Sequence, residues 1–240
     1  VLEYTRSLQE KLDLFSLHFK EEVLEDILNF MVFLFETNKQ TNLTSITNWE
    51  EAIIKHIIDS FLIIKTDYWL ESKNIIDVGS GPGFPGIPLL FTNRDKKIYL
   101  VESNHKKVSF LKETKKRFSL DNLHILCDRA ETVAGKKEFR EGFDLVLARA
   151  LASLPSLLEL TLPFCRTGGI FCAYKGPDYK QELKTAKTAL LTLGAEFRTN
   201  YSFVLPNNQG KRSLLIFQKT KRTPDQYPRR PGIPTKRPLI

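Results

Sequence analysis

From residue 74 onward, short apolar runs alternate with amphipathic stretches, and this alternation constrains the fold more than any other feature. Ile75 to Val78, Lys97 to Glu102, Leu123 to Cys127, Phe143 to Ala148 and Gly169 to Tyr174 read as five strands. Helical stretches separate them. Asn104 to Ser119 places Val108, Leu111 and Phe118 on one face, Ser153 to Phe164 is apolar with prolines near both ends, and Asp178 to Leu193 holds Tyr179, Leu183, Ala186 and Leu190 in register. Strands alternating with helices over roughly 140 residues predict a mostly parallel sheet covered on both faces. Glu196 to Leu205 and Arg212 to Gln218 then follow without a helix between them. A Pro-Asn-Asn-Gln-Gly turn joins them, so an antiparallel hairpin is expected at one side of the sheet.

The stretch before the alternation reads as helical. Val23, Ile27, Phe30, Met31 and Leu34 recur at three- and four-residue spacing within Lys20 to Asn38. Asn38 to Thr47 has loop composition, and Thr47-Asn48-Trp49-Glu50 fits a capping box. Ile53, Ile54, Ile57, Ile58, Phe61 and Leu62 give the next helix a broad apolar face. The expected division is a helical region over 1–72, a core over 73–219 and a basic, proline-rich arm over 220–240. Composition alone favours disorder for that arm.

No apolar run reaches the roughly 20 residues of a membrane span. The opening VLEYTRSLQE has neither the basic nor the apolar segment of a signal peptide. Cys127, Cys165 and Cys172 form no C-x-x-C, and no Cys/His cluster has metal-ligand spacing. The expectations are a cytoplasmic chain, no membrane partner, no metal, and three cysteines packed in the core.

Charge is unevenly spread. Residues 1–72 carry 6 Lys/Arg against 13 Asp/Glu, and the remainder carries 30 against 15. A polyanion would therefore meet the second part of the chain. Two segments concentrate the excess: Asn104 to Arg117 has six basic residues against Glu113, and 219–240 has seven against Asp225. For the first, a solvated helix face is an equal reading.

The first strand runs into Asp77-Val78-Gly79-Ser80-Gly81-Pro82-Gly83. In doubly wound sheets ligands bind at the carboxyl ends of the strands, and glycines let the backbone come close to them. A dinucleotide fingerprint needs its third glycine at position 84, which is Phe84 here. No G-K-[ST] follows. Asp77 would oppose a pyrophosphate and favour a cofactor carrying a cationic group. Other residues stand where a nucleoside would need them. Glu102 ends the second strand and can accept both ribose hydroxyls. Asp128-Arg129-Ala130-Glu131 follows the third strand, and reads either as the adenine pocket or as a helix cap. Arg149 follows the fourth strand, where it serves a ligand or pairs with a surface carboxylate. A glycine-rich turn without ligand, and a nicotinamide-dependent oxidoreductase, are the competing readings of the loop itself.

Further motifs carry a resemblance over nearly the whole chain and in order. They are Asn42-Leu43-Thr44-Ser45-Ile46, His56-x-x-Asp59-Ser60, DVGSGPGFPGIPL from Asp77 to Leu89, and VESNHKKVSFL from Val101 to Leu111. Arg129-Ala130-Glu131, Ala148-Arg149-Ala150, Tyr174-Lys175-Gly176 and the final YPRRPGIPTKRPL complete the series. The chain resembles the small-subunit ribosomal RNA guanine-N7 methyltransferases, also called the glucose-inhibited division protein B family.

That resemblance implies a class I S-adenosylmethionine-dependent methyltransferase fold, α/β and Rossmann-like, with a seven-stranded sheet and an N-terminal helical extension. It implies S-adenosyl-L-methionine as methyl donor, bound at Gly79, Phe84, Ala130, Glu131 and Arg149, with Ser80, Gly81, Gly83 and Glu102 as pocket neighbours from the fold. The implied acceptor is N7 of a guanosine (position 527 in conventional numbering) in 16S ribosomal RNA, in the small subunit or its assembly intermediate, and a monomeric enzyme is expected. N7 needs no proton removed, so no dedicated general base is expected. His56 and Asp59, three apart on a helix, are candidate site organisers, as is Lys175 at the end of the fifth strand. Arg229, Arg230, Lys236 and Arg237 are the expected phosphate-contacting residues. On that reading, loss of 224–240 would weaken RNA modification and spare donor binding. Another RNA methyltransferase, or a non-catalytic RNA-binding protein of this fold, are the alternatives.

Overall fold

The structure, a computed structural model, describes residues 2–240. Two helices open the chain, α1 (Leu2–Asp13) and α2 (Glu21–Thr41). The second outlasts its expected end by three residues, and Asn42 closes it in the left-handed conformation that asparagine tolerates. Next comes α3 (Trp49–Ala52), whose N-cap is Asn48 rather than Thr47. The Asn48 side chain accepts the Glu51 N–H at 2.9 Å, one residue later than the capping box predicted.

The chain then departs from the single helix expected. Ile53–Ile58 forms a π-helical turn, followed by α4 (Asp59–Phe61), a 3₁₀ turn (Leu62–Lys65) and α5 (Asp67–Glu71). Ile53, Ile54, Ile57, Ile58, Phe61 and Leu62 are all buried, so the apolar face forms as expected on a locally widened backbone.

The sheet follows: β1 (Asn74–Val78), α6 (Gly86–Thr92), β2 (Lys97–Glu102), α7 (His105–Arg117), β3 (Leu123–Cys127), α8 (Ala130–Ala134), β4 (Phe143–Arg149) and α9 (Leu154–Thr161). It ends with β5 (Cys165–Lys175), α10 (Tyr179–Thr185), α11 (Lys187–Leu193), β6 (Ala195–Val204) and β7 (Lys211–Lys219). The strand order is β3-β2-β1-β4-β5-β7-β6. The first five strands are mutually parallel, and β7 runs antiparallel to both β5 and β6. The chain has the class I methyltransferase fold: a seven-stranded Rossmann-like sheet closed by an antiparallel hairpin. The stretch expected as one helix over 178–193 is broken at Ala186 into α10 and α11.

Two hydrophobic layers flank the sheet. One unites α1, α2 and the 53–63 segment with Ile75, Ile98, Leu145 and Ile216, so the N-terminal helices and that face of the sheet share a core. The other packs α9 and α11 against Ile76, Val146, Phe171 and Phe217. Cys165 is buried in this second layer and Cys172 in the first, whereas Cys127 is exposed at the end of β3, contrary to the core placement expected for all three.

The arm is not a tail. It folds back over α9 and carries a short helix, α12 (Ile233–Lys236). Pro234 is buried, Ser156 Oγ donates to the Pro234 carbonyl at 2.9 Å, and Arg229 grips Glu159 on α9. Composition misled because these partners lie some 70 residues away and leave no local pattern. Among the described residues no helix is long and apolar enough to cross a membrane.

Candidate active site

Parallel packing brings the carboxyl ends of β1, β2, β3, β4 and β5 to one edge, and two clefts open there. The first, of about 450 Å³, is bordered by Gly79, Gly81, Glu102, Ala130, Glu131 and Leu151. That size is typical of a small-molecule site. Gly79 has φ +73°, a left-handed conformation that side chains rarely adopt, so the turn itself calls for glycine, and the Leu151 side chain lies over it. Gly81, at φ +59°, faces open space.

Glu102 organises this cleft. One carboxylate oxygen accepts the Gly81 N–H at 3.0 Å and the other accepts the Asn104 N–H at 2.7 Å. A carboxylate has about four acceptor positions, so two backbone bonds leave capacity for hydroxyl donors in the cleft. Bare glycine backbone beside an acidic side chain suits a nucleoside with a free ribose, and it fits S-adenosylmethionine.

Asp77 does not play the part expected of it. It is wholly buried, its Oδ2 accepts the Gly86 N–H at 3.0 Å, and Oδ1 has no partner among the described residues. Burial pushes its pKa up to about 8, against the Gly86 hydrogen bond and Arg149, so it is mostly protonated at neutral pH. The carboxylates that border the cleft are Glu102, Asp128 and Glu131. Ser80, Gly83 and Phe84 also sit behind the loop instead of lining it. Ser80 is 2% exposed and its carbonyl accepts the Gly83 and Phe84 N–H groups. A Cβ on Gly83 would strike Ile87. Phe84 packs on Phe30 and stacks on His56, with ring centroids 4.4 Å apart.

The second cleft, of about 380 Å³, is bordered by Lys55, His56, Asp59, Arg149, Lys175 and Arg212. Ala150 borders both clefts, and it holds an unusual φ of +52°. Arg149 lies under the second cleft, not the first. Its Nη1 donates to the Lys55 carbonyl at 2.9 Å and to Asp59 Oδ2 at 3.1 Å, while Nη2 faces His56 Nδ1 at 3.4 Å. The carboxylate that it meets is 2% exposed, so the pair is buried and not superficial. Arg212 Nε lies 3.3 Å from the other oxygen of Asp59.

These contacts fix the state of His56. Burial, with Arg149 and then Lys55 nearby, pushes its pKa down to about 3, so the ring is neutral. Arg149 can only donate, so Nδ1 accepts and Nε2 carries the hydrogen towards Thr44 Oγ1, 3.1 Å away. The π-helical turn presents His56 and Asp59 together to Arg149. Lys175 bonds the Ala152 carbonyl at 2.9 Å and Glu182 at 2.7 Å, and Glu182 also accepts the Leu154 N–H. It thereby fixes the loop between the two clefts.

The basic arm divides. Arg229 makes a paired bond to Glu159, which has no exposed surface, and so is committed to structure rather than to phosphate. Arg230, Lys236 and Arg237 are exposed. Sequence reasoning missed Arg212, Lys107, Gly232 and Thr235 at the clefts. No spacing signals them: Arg212 opens an ordinary strand, and the others sit in charged or proline-rich runs.

Comparison with known proteins bears on this geometry. A family model described as rRNA small subunit methyltransferase G matches residues 23–213. The Ribosomal RNA small subunit methyltransferase G of Alkaliphilus metalliredigens is 39% identical over 222 residues, covering 92% of this chain and 93% of its own. That of Carboxydothermus hydrogenoformans is 40% identical over 226 residues, covering 94% and 95%. Among solved structures, M. jannaschii TYW2 in complex with AdoMet shares the fold, with a TM-score of 0.55 and 18% identity over 74% of this chain and 79% of that one. With the family model spanning most of its length and such relatives matching nearly end to end, the chain belongs to the rRNA small subunit methyltransferase G family.

Proposed function

We propose that this protein transfers a methyl group from S-adenosyl-L-methionine to N7 of a guanosine in the 16S ribosomal RNA of the small subunit. The observation that carries the reading is the pair of clefts meeting at Ala150, one acidic and glycine-walled, the other cationic. Glu102, Ala130, Glu131 and the backbone at Gly79 and Gly81 hold the donor. The cationic cleft takes the extruded nucleotide, whose phosphate suits Arg212 and the Arg149 side of the pocket.

When bound, the donor supplies a methyl carbon on a cationic sulfur. N7 presents a lone pair in the plane of the base and carries no proton, so the residues need not remove one. His56, neutral and clamped between Phe84 and Thr44, is a positioning group and not a base. Asp59 holds Arg149 and Arg212 in fixed directions, and Lys175 fixes the loop that separates the clefts. Alignment of two reactants by a preorganised site supplies much of the rate in such a reaction. The substrate is the small subunit or its assembly intermediate, and the enzyme acts in the cytoplasm as a monomer. The basic balance after residue 72 supports a large polyanionic partner.

The test is methyl transfer from labelled donor to small subunits lacking the modification, with the labelled base mapped. Label at a guanine N7 is the expected result. Donor-binding protein that labels no guanine would overturn the acceptor, and protein that binds no donor would overturn the reading as a whole.

A further inference from the structure

The family resemblance places donor contacts only on residues before the arm, yet the arm reaches the same cleft. Gly232 and Thr235 border it together with Gly79, Glu102 and Ala130. The Gly232 N–H donates to Glu131 Oε1 at 2.8 Å, so the arm is bonded to a residue expected to hold the donor. Three anchors keep it there. Arg229 clasps the fully buried Glu159 at 2.6 Å and 2.9 Å, Ser156 Oγ bonds the Pro234 carbonyl, and Arg140 donates to the carbonyls of Tyr227 and Thr223.

We propose that the segment Gly232–Thr235 is the outer wall of the donor cleft and contacts the adenosine end of the bound donor. The adenosine end follows from position. Gly232 is bonded to Glu131, just after β3, whereas the cationic cleft meets the donor cleft at Ala150, after β4. The methyl group has to lie near the second cleft, so the nucleoside lies towards Glu102, Ala130 and Glu131. This inference rests on the donor reading above. It replaces the expectation that loss of the arm spares donor binding. Because the arm and the donor meet on one wall, docking of either strengthens the other.

Two variants test it. One is a chain ending at Asp225 that also carries Glu159→Gln, so that no buried carboxylate is left without its arginine. The other is full-length Gly232→Pro, which removes the N–H that meets Glu131 and, because proline cannot adopt the φ of +84° found at Gly232, displaces the segment from the cleft. Calorimetry with S-adenosylhomocysteine and with 5′-methylthioadenosine gives the affinities, a thermal melt confirms folding, and hydrogen exchange follows amides 226–237. Both variants are expected to bind both ligands at least tenfold more weakly, and ligand should slow exchange of those amides in the wild type. Affinity within twofold of wild type in a folded variant overturns the proposal, as does a loss seen for S-adenosylhomocysteine alone. If the truncated chain does not fold, Gly232→Pro decides. Wild-type protein that binds neither ligand would sink the donor reading instead.

Discussion

Arg149 Nη1 stands 3.1 Å from Asp59 Oδ2, across 90 residues of sequence, and Arg212 approaches the other oxygen of the same carboxylate. One buried anion thus orders two cations at the floor of the second cleft. Asp59→Ala would leave both guanidinium groups without a counter-charge. Breaking such a buried pair costs about 3–5 kcal/mol, and urea unfolding should show a loss of that size. A loss below about 1 kcal/mol, the range of exposed ion pairs, would mean that solvent already screens the site.

Neutral His56 makes stability depend on pH. Its pKa is 6.5 without the fold and about 3 within it. Between those values the unfolded chain holds the extra proton, so the contribution is complete above pH 6.5 and drains away as pH falls towards 3. His56→Gln cannot titrate. The wild type should lose about 2–3 kcal/mol relative to this variant between pH 7.5 and pH 4.5, taking about 1.4 kcal/mol per pH unit below 6.5. Comparing the two proteins cancels the other titrations. A difference that stays constant across that range would show that His56 accepts a proton in the folded state.

How legible this was in the sequence depends on the range of the signal. The strands of the sheet could be read because each apolar run is local, and Gly79 and Glu102 could be placed because strand ends fix them. The π-helical turn at Ile53–Ile58 could not, since a widened turn buries the same isoleucines as an α-helix. Asp77 misled for a different reason: an acid beside a glycine loop reads as exposed, and only the packing of Gly86 against it shows the burial. The order of the arm was hidden in a contact between residues 70 apart. One signal was available there, because Glu159 is the lone charge in the apolar run Leu154–Thr161, and such a charge needs a buried partner.

Glu102 is the residue on which donor affinity should turn. Both oxygens already hold the loop, through Gly81 and Asn104. Glu102→Gln turns an amide donor towards one of those N–H groups and removes the charge. Hydrogen bonds to charged groups are worth about 1.5–3 kcal/mol, so affinity for S-adenosylhomocysteine should fall about tenfold to a hundredfold. The ribose assignment has its own check. The 2′-deoxy analogue should bind the wild type more weakly than the parent, and the ratio should collapse towards one in the variant. An unchanged ratio would assign the ribose to another residue.

Arg212 separates an RNA contact from a scaffold. It is only partly covered, it borders the cationic cleft, and its Nε faces Asp59 while Nη1 donates to the Lys211 carbonyl at 3.3 Å, which leaves Nη2 to meet a phosphate. If it neutralises one phosphate, Arg212→Ala lowers the slope of log affinity against log salt by about 0.7–1, and Arg212→Lys restores it. Donor affinity should not move, because Arg212 does not border the first cleft. A scaffold role through Asp59 predicts a different pattern. The melting temperature would drop, lysine would fail to rescue the variant, and the salt slope for small-subunit binding would match the wild type. That last result would remove Arg212 from the RNA path.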